Sequence, residues 1–283
     1  MSDTTTAIRE IAKKLLEEGK VDLIIGFENG TLPSRSSPCF IRKPADVEKL
    51  IWNSNCENNL AKYLPGRKEK VVGIIANGCN SRAIVGLIQE KQVDRDKLVI
   101  LGVPCEGMTD RNSGLLDETC KTCQHPNPVI YDFLIGDKVK ENVNSDPYAA
   151  VKEFGKKGTE ERWEYITGEL SKCIRCYACR NSCPFCYCRE CFVDSTKPQW
   201  IGKTVNETDT QFFHVVRALH LAGRCVSCGA CERACPMGID LRVLNKKLEE
   251  EVDEQFGYKT GLALDQLPPM ATFKPDDPQE FIK

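Results

Sequence analysis

A chain of 283 residues, 41 % hydrophobic and 28 % charged, is long enough to build a core without covalent staples and has the composition of an ordinary soluble globular protein. Its 39 Lys and Arg against 41 Asp and Glu leave a net charge of -2, which gives no electrostatic reason to expect nucleic acid or an anionic membrane as partner. Apolar runs such as Val71-Val72-Gly73-Ile74-Ile75-Ala76 are too short to span a bilayer, and Met1-Ser2-Asp3-Thr4-Thr5-Thr6 lacks the basic-then-apolar order of a secretory signal, so a cytoplasmic protein without a membrane span is expected.

Ile8, Ile11, Leu15 and Leu16 recur at helical spacing and predict an amphipathic helix over residues 5–20, stopped near Gly19. Residues 21–27 read as a buried strand, and Pro44 opens a second helix running to Trp52. Val71–Ala76 is the next strand. The loop Asn77-Gly78-Cys79-Asn80 then leads into a helix from Ser81 to about Lys91, and Lys97–Val103 is a third strand ending at Pro104-Cys105. Strands alternating with helices predict a small α/β unit with a mostly parallel sheet. Cys79 and Cys105 then fall just past the C-terminal ends of two strands, the edge at which open α/β sheets bind ligands. Cys120-Lys121-Thr122-Cys123 lies in a polar loop before the apolar run 129–135.

Residues 141–159, rich in Asn, Asp, Lys and Gly, read as a linker, followed by a helix over Thr159–Leu170. Residues 194–206 are expected to be irregular. Helices are expected over Thr208–Gly223 (Phe212, Val215, Val216, Leu219) and Leu241–Gln255 (Leu241, Leu244, Leu248, Val252). The tail, residues 257–283, is expected to be an extended arm on this protein or on a partner. The domains expected are therefore an α/β unit over 1–140, the linker, an α-helical unit over 160–256, and the tail.

Seventeen cysteines set this chain apart. Without an export signal, disulfides are the less natural use for them, and thiols at two- and three-residue spacing point to metal. Cys173-x2-Cys176-x2-Cys179-x3-Cys183-Pro184 and Cys225-x2-Cys228-x2-Cys231-x3-Cys235-Pro236 are two copies of the ferredoxin-type run. In such runs three closely spaced thiolates wrap one [4Fe–4S] cubane, and the cysteine before proline serves the other cluster. The expected sets are Cys173, Cys176, Cys179 and Cys235 for one cluster, and Cys225, Cys228, Cys231 and Cys183 for the second. Zinc is the alternative, although it needs neither a duplicated run nor a proline after the last cysteine. Cys186, Cys188 and Cys191 follow the first run closely. One could replace Cys183; the others could be packed free thiols or part of a separate metal site.

The two runs with their helical flanks, over residues 160–256, resemble the α-helical ferredoxin domains of heterodisulfide reductase and of succinate/fumarate reductase iron–sulfur subunits. His220-Leu221-Ala222-Gly223-Arg224-Cys225 and Cys235-Pro236-Met237-Gly238-Ile239-Asp240-Leu241 are similar to the heterodisulfide reductase form in particular. Residues 8–136 resemble the beta-subunit family of deazaflavin (coenzyme F-420)-reducing hydrogenase and formate dehydrogenase. The resemblance rests on Leu15-Leu16-Glu17-Glu18-Gly19-Lys20-Val21-Asp22, Val72-Gly73-Ile74-Ile75-Ala76-Asn77-Gly78-Cys79, Leu101-Gly102-Val103-Pro104-Cys105, Cys120-x2-Cys123 and Tyr131-Asp132-Phe133-Leu134-Ile135-Gly136-Asp137. Asn77-Gly78 stands where that family has a Gly-x-Pro-Cys turn.

This second resemblance implies a third [4Fe–4S] cluster on Cys79, Cys105, Cys120 and Cys123, with Cys56 as a substitute for Cys79, beside a flavin (FAD). Cys39 reads as structural, and ordinary buried thiols are the plain alternative for the whole N-terminal set. No Gly-x-Gly-x-x-Gly turn or P-loop follows any strand. His214 and His220 fall in an expected helix and suit packing or support better than ligation. The functional expectation is an electron-transfer subunit of a multi-subunit oxidoreductase, relaying single electrons through two or three clusters to or from a flavin- or metal-containing partner subunit. The alternative is a flavin-containing catalytic subunit that reduces a deazaflavin, nicotinamide or similar acceptor.

Overall fold

The computed structural model describes residues 3–272. Helix α1 (Asp3–Glu17) packs Ile8, Ala12 and Leu15 inward. It ends where Gly19 turns left-handed (φ +64°), with Lys20 N–H bonded to Leu15 O and Gly19 N–H to Leu16 O, a Schellman closure that a residue without Cβ makes at little strain. Strand β1 (Leu23–Asn29) follows, then β2 (Ser36–Ile41), β3 (Val72–Ala76), helix α2 (Gly78–Gln89), β4 (Leu98–Gly102), the one-turn α3 (Glu118–Lys121) and the short β5 (Phe133–Leu134). The sheet order is β2-β1-β3-β4-β5. Strands β1, β3, β4 and β5 run parallel, and β2 pairs antiparallel with β1, Gly26 facing Cys39.

The mostly parallel sheet is the one expected from sequence, but β2 is not among the expected strands. Ser36-Ser37-Pro38-Cys39 has no alternating pattern, and its proline fits only because β2 is an edge strand with no partner on one side. Two other elements also differ from expectation. Residues Pro44–Lys49 form a 3-10 turn rather than a helix to Trp52. Helix α2 starts three residues early because the Asn77 side chain caps it, accepting from Asn80 N–H at 3.0 Å.

The expected linker contains helix α4 (Ala149–Gly155). Its approach is anchored: Gln124 donates to Ser145 O (2.7 Å), and the buried Tyr148 reaches Asp253 (3.2 Å). Ser145 of this polar stretch also donates its hydroxyl to Thr122 O, within the Cys120–Cys123 segment, at 3.3 Å. Helices α5 (Thr159–Ser171), α6 (Ala178–Ser182), α7 (Glu207–His220), α8 (Ala230–Arg233) and α9 (Arg242–Phe256) build the remainder. Thr210, Phe213, His214, Arg217 and Ala218 form the buried face of α7, whereas Phe212, Val215 and Leu219 are exposed, the reverse of its apolar periodicity.

The two halves share one core. Cys183, Phe185, Leu221 and Val226 belong to the hydrophobic cluster of the sheet and α2, and the Phe185 ring lies where a side chain on Gly86 of α2 would stand. Arg224 clamps Glu90 at the end of α2, with Nη2 2.9 Å from Oε2, and Tyr187 donates to the same carboxylate at 2.7 Å. A second cluster (Leu170, Val193, Ile201, Phe213, Ile239, Leu241) surrounds Cys173 and Cys179. Of the expected tail, Tyr258 and Thr260 are buried, and Arg82 of α2 donates to Thr260 O at 3.0 Å; residues 273–283 lie outside the described residues. Among the described residues no helix is long and apolar enough to cross a membrane.

Candidate metal centres

All seventeen cysteines are free. The two ferredoxin-type runs share one backbone trace. In the first, Arg175 and Tyr177 are left-handed (φ +52° and +58°) ahead of α6; in the second, Ser227 and Gly229 (φ +53° and +70°) precede α8. A left-handed non-glycine residue costs about 1 kcal/mol. Three of these four positions carry that strain, and in return the chain curls its thiols and amides toward one point. The leading cysteine of each run accepts an N–H bond from the residue two along: Arg175 to Cys173 Sγ at 3.3 Å, Ser227 to Cys225 Sγ at 3.4 Å. Amides aimed at sulfur stabilise it as an anion and set the potential of a cluster bound to it.

Cys173, Cys176, Cys179 and Cys235 line one small cavity with His214, Ile239 and Leu241. Nε2 of the buried His214 is 3.3 Å from Cys173 Sγ. Burial, aided by Arg217 and Arg175, pushes His214 down to about 4, so it is neutral near pH 7, and its Nε2-protonated tautomer is the one that donates to a thiolate at Cys173. Cys183 sits among the thiols of the second run. It raises the thiols of Cys228 and Cys231, both of which burial already pushes up, while the buried Arg217 opposes the rise at Cys231. Asn245 Nδ2 lies 3.8 Å from Cys231 Sγ.

Cys79, Cys105, Cys120 and Cys123 line a cavity of about 300 Å³, and Cys228 of the second run stands in the same wall. Cys79 is in the first turn of α2 and Cys105 follows β4, so sheet-edge positions and the α3 segment converge here. The amide-to-sulfur pattern recurs: Gly107 N–H meets Cys105 Sγ at 3.3 Å, and Met108 N–H meets Cys120 Sγ at 3.4 Å. Burial pushes Cys105 up to about 11 and raises Cys79 well above the usual thiol range, with Cys120 and Cys123 adding repulsion. Four partly buried thiols facing one cavity suit a shared cation that takes them as thiolates. The half-buried Arg233, 3.3 Å from Asp117, lies in the same wall.

Cys56 does not line this cavity. Its thiol is buried against Asn53 and Ile51, and burial pushes it up to about 11. Cys39, on β2, is buried in the sheet core. Cys186, Cys188 and Cys191 line a separate cavity of about 300 Å³ with Arg180, Arg217 and His220, and a Cys183–Cys186 hydrogen bond links it to the second run.

Among the described residues no group of three or more His, Cys, Asp or Glu is spaced to hold a single metal ion. Thiolates that bind different corners of a cubane stand further apart than ligands of one tetrahedral ion. An all-sulfur donor set with amides aimed at sulfur and shielded arginines nearby fits iron–sulfur clusters at all three places. Among the described residues, the turns after β1, β3 and β4 are not the glycine-rich kind that grips the diphosphate of a flavin dinucleotide. Arg217, Arg233 and Asn245 were not legible as functional positions in the sequence. A charged residue on the core face of α7 was the available signal, but the apolar stripe of that helix points the other way.

Comparison with known proteins agrees with this geometry. Residues 169–239 match the 4Fe-4S dicluster domain. The chain is 21 % identical to the F420-dependent formate dehydrogenase subunit beta of Methanocaldococcus jannaschii, with 93 % of each chain covered. It is 22 % identical to the F420-dependent formate dehydrogenase 1 subunit beta of Methanococcus maripaludis, over 93 % of this chain and 92 % of that one. The chain is thus similar along nearly its whole length to beta subunits of F420-dependent formate dehydrogenases, and it carries a 4Fe-4S dicluster domain in its C-terminal region.

Proposed function

We propose that this chain is the electron-relay subunit of a multi-subunit cytoplasmic oxidoreductase of the formate dehydrogenase kind, holding three [4Fe–4S] clusters. The ligand sets are Cys79, Cys105, Cys120 and Cys123; Cys225, Cys228, Cys231 and Cys183; and Cys173, Cys176, Cys179 and Cys235. One observation carries the reading: Cys228 shares a cavity wall with the four N-terminal cysteines, while Cys231 and Cys235 of the second run pack with Cys173 and Cys179 of the first, so the three thiol sets adjoin one another in turn.

When bound, such clusters supply one-electron chemistry without proton transfer. The residues of this chain position the clusters and set their charge environment. Amides at Arg175, Ser227, Gly107 and Met108 stabilise the ligating sulfurs, and His214 supports Cys173. Arg224 and Glu90 lock the α-helical unit onto the sheet unit, fixing the spacing along the relay. The first run lies at the surface, where Cys176, Ile174 and Met237 are exposed, and forms the face for exchange with a partner subunit. Names of the relatives support membership of such a complex.

Reductive titration of the anaerobically purified chain tests this reading. Three one-electron uptakes per chain are expected. Two would remove the N-terminal cluster, and none would remove the relay.

A further inference from the structure

Arg217 projects from α7 into the space between the two ferredoxin-type runs. It is 4 % exposed, and its Nη2 donates to Cys179 O at 3.1 Å. Nε is buried with no hydrogen-bond partner. The groups that favour its charge are thiols rather than carboxylates: Cys231 and Cys183 of one expected set, Cys179 of the other, and Cys186. A buried guanidinium is costly unless an opposite charge faces it. Neutral thiols offer little compensation, whereas thiolates bound to a cluster whose net charge becomes one unit more negative on reduction offer a great deal.

We propose that Arg217 is a counter-charge shared by the two C-terminal clusters, raising the reduction potential of both. The inference rests on the relay reading above. Each cluster takes one electron from an external donor and no proton. The added negative charge is then stabilised by a cation already held in place. Because the guanidinium does not lose its proton in proteins, its effect persists across the physiological pH range. The N-terminal set has Arg233 in its own wall, and the chief groups that favour the charge of Arg217 include none of its four cysteines.

The test is a redox titration of the full chain with dithionite, followed by electron paramagnetic resonance, on wild type, Arg217→Gln and Arg217→Lys. For Arg217→Gln with wild-type iron content, the reduction equilibrium of both C-terminal clusters is expected to shift at least about tenfold toward the oxidised form, or 59 mV lower for a one-electron couple. The N-terminal cluster should not move, and Arg217→Lys should recover most of the shift. Unchanged potentials in an iron-replete Arg217→Gln protein, or a shift of one cluster only, overturn the proposal. If the glutamine variant lacks iron, Arg217→Lys decides alone: it must keep its iron and stay within about threefold of wild type, and a larger fall overturns the shared-charge role. Wild-type protein without iron–sulfur signals would instead bring down the relay reading itself.

Discussion

His214 Nε2 lies 3.3 Å from the sulfur of Cys173, so a neutral, buried imidazole on α7 faces the leading cysteine of the first run and donates to it once that sulfur is a thiolate. A bond of this kind to an anionic sulfur favours the more negative state of whatever the sulfur ligates. His214→Leu should lower the potential of the cluster on the first run by about 59 mV, one tenfold change for a one-electron couple, without moving the others. Potentials resolved cluster by cluster in electron paramagnetic resonance titrations check this. A shift in the N-terminal cluster instead would place His214 in the wrong company.

Gly78 is held to its size by the loop above it, because a Cβ there would overlap the carbonyl oxygen of His125. The substitution Gly78→Ala should push the 123–127 loop away from α2 and separate Cys123 from Cys79. About four irons per chain should be lost while the two C-terminal clusters remain. Iron analysis together with low-temperature spectra of the remaining clusters reads this directly.

The Arg224–Glu90 pair joins the two halves in a partly buried setting, with Tyr187 as a third partner. Removing the guanidinium leaves a shielded carboxylate with only a phenol to face. Arg224→Ala should destabilise the protein by about 2 kcal/mol. Glu90→Gln, which keeps a hydrogen-bonding group in place, should cost less. Thermal unfolding under anaerobic conditions, followed in the far-ultraviolet, gives the order.

Burial pushes the thiol of Cys39 up to about 12 and that of Cys56 up to about 11. At pH 8 both are protonated to a greater extent than a thiol of ordinary pKa, so iodoacetamide should label neither in the native protein and both after denaturation. Their folded pKa values lie above the unfolded value. The stability they contribute is therefore fully present below about pH 9 and declines as pH rises toward 11–12. Serine at Cys39 or Cys56 should flatten that alkaline decline without altering iron content.

How far the sequence revealed this arrangement depended on whether the signal was local. The duplicated runs are contiguous, so their ligand spacing could be read directly, and β1, β3 and β4 announced themselves as apolar runs. Strand β2 did not, because Pro38 and the serines beside it are tolerated only at a sheet edge that exists once the chain has folded. The N-terminal cysteines span 45 residues from Cys79 to Cys123. Only the family resemblance linked them, and the cavity they line depends on the caps and loops around α2. Arg217 and His214 were hidden for a related reason. Their helix buries a polar face toward the thiols, and periodicity reads apolar residues as the inner face.

Iron and acid-labile sulfide content of the anaerobically prepared chain, measured beside a Cys105→Ser/Cys123→Ser double variant, tests the three-cluster relay most directly. Three clusters predict about twelve irons and twelve sulfides per wild-type chain and about eight of each in the variant. About eight in both proteins, or zinc in place of iron, would contradict it.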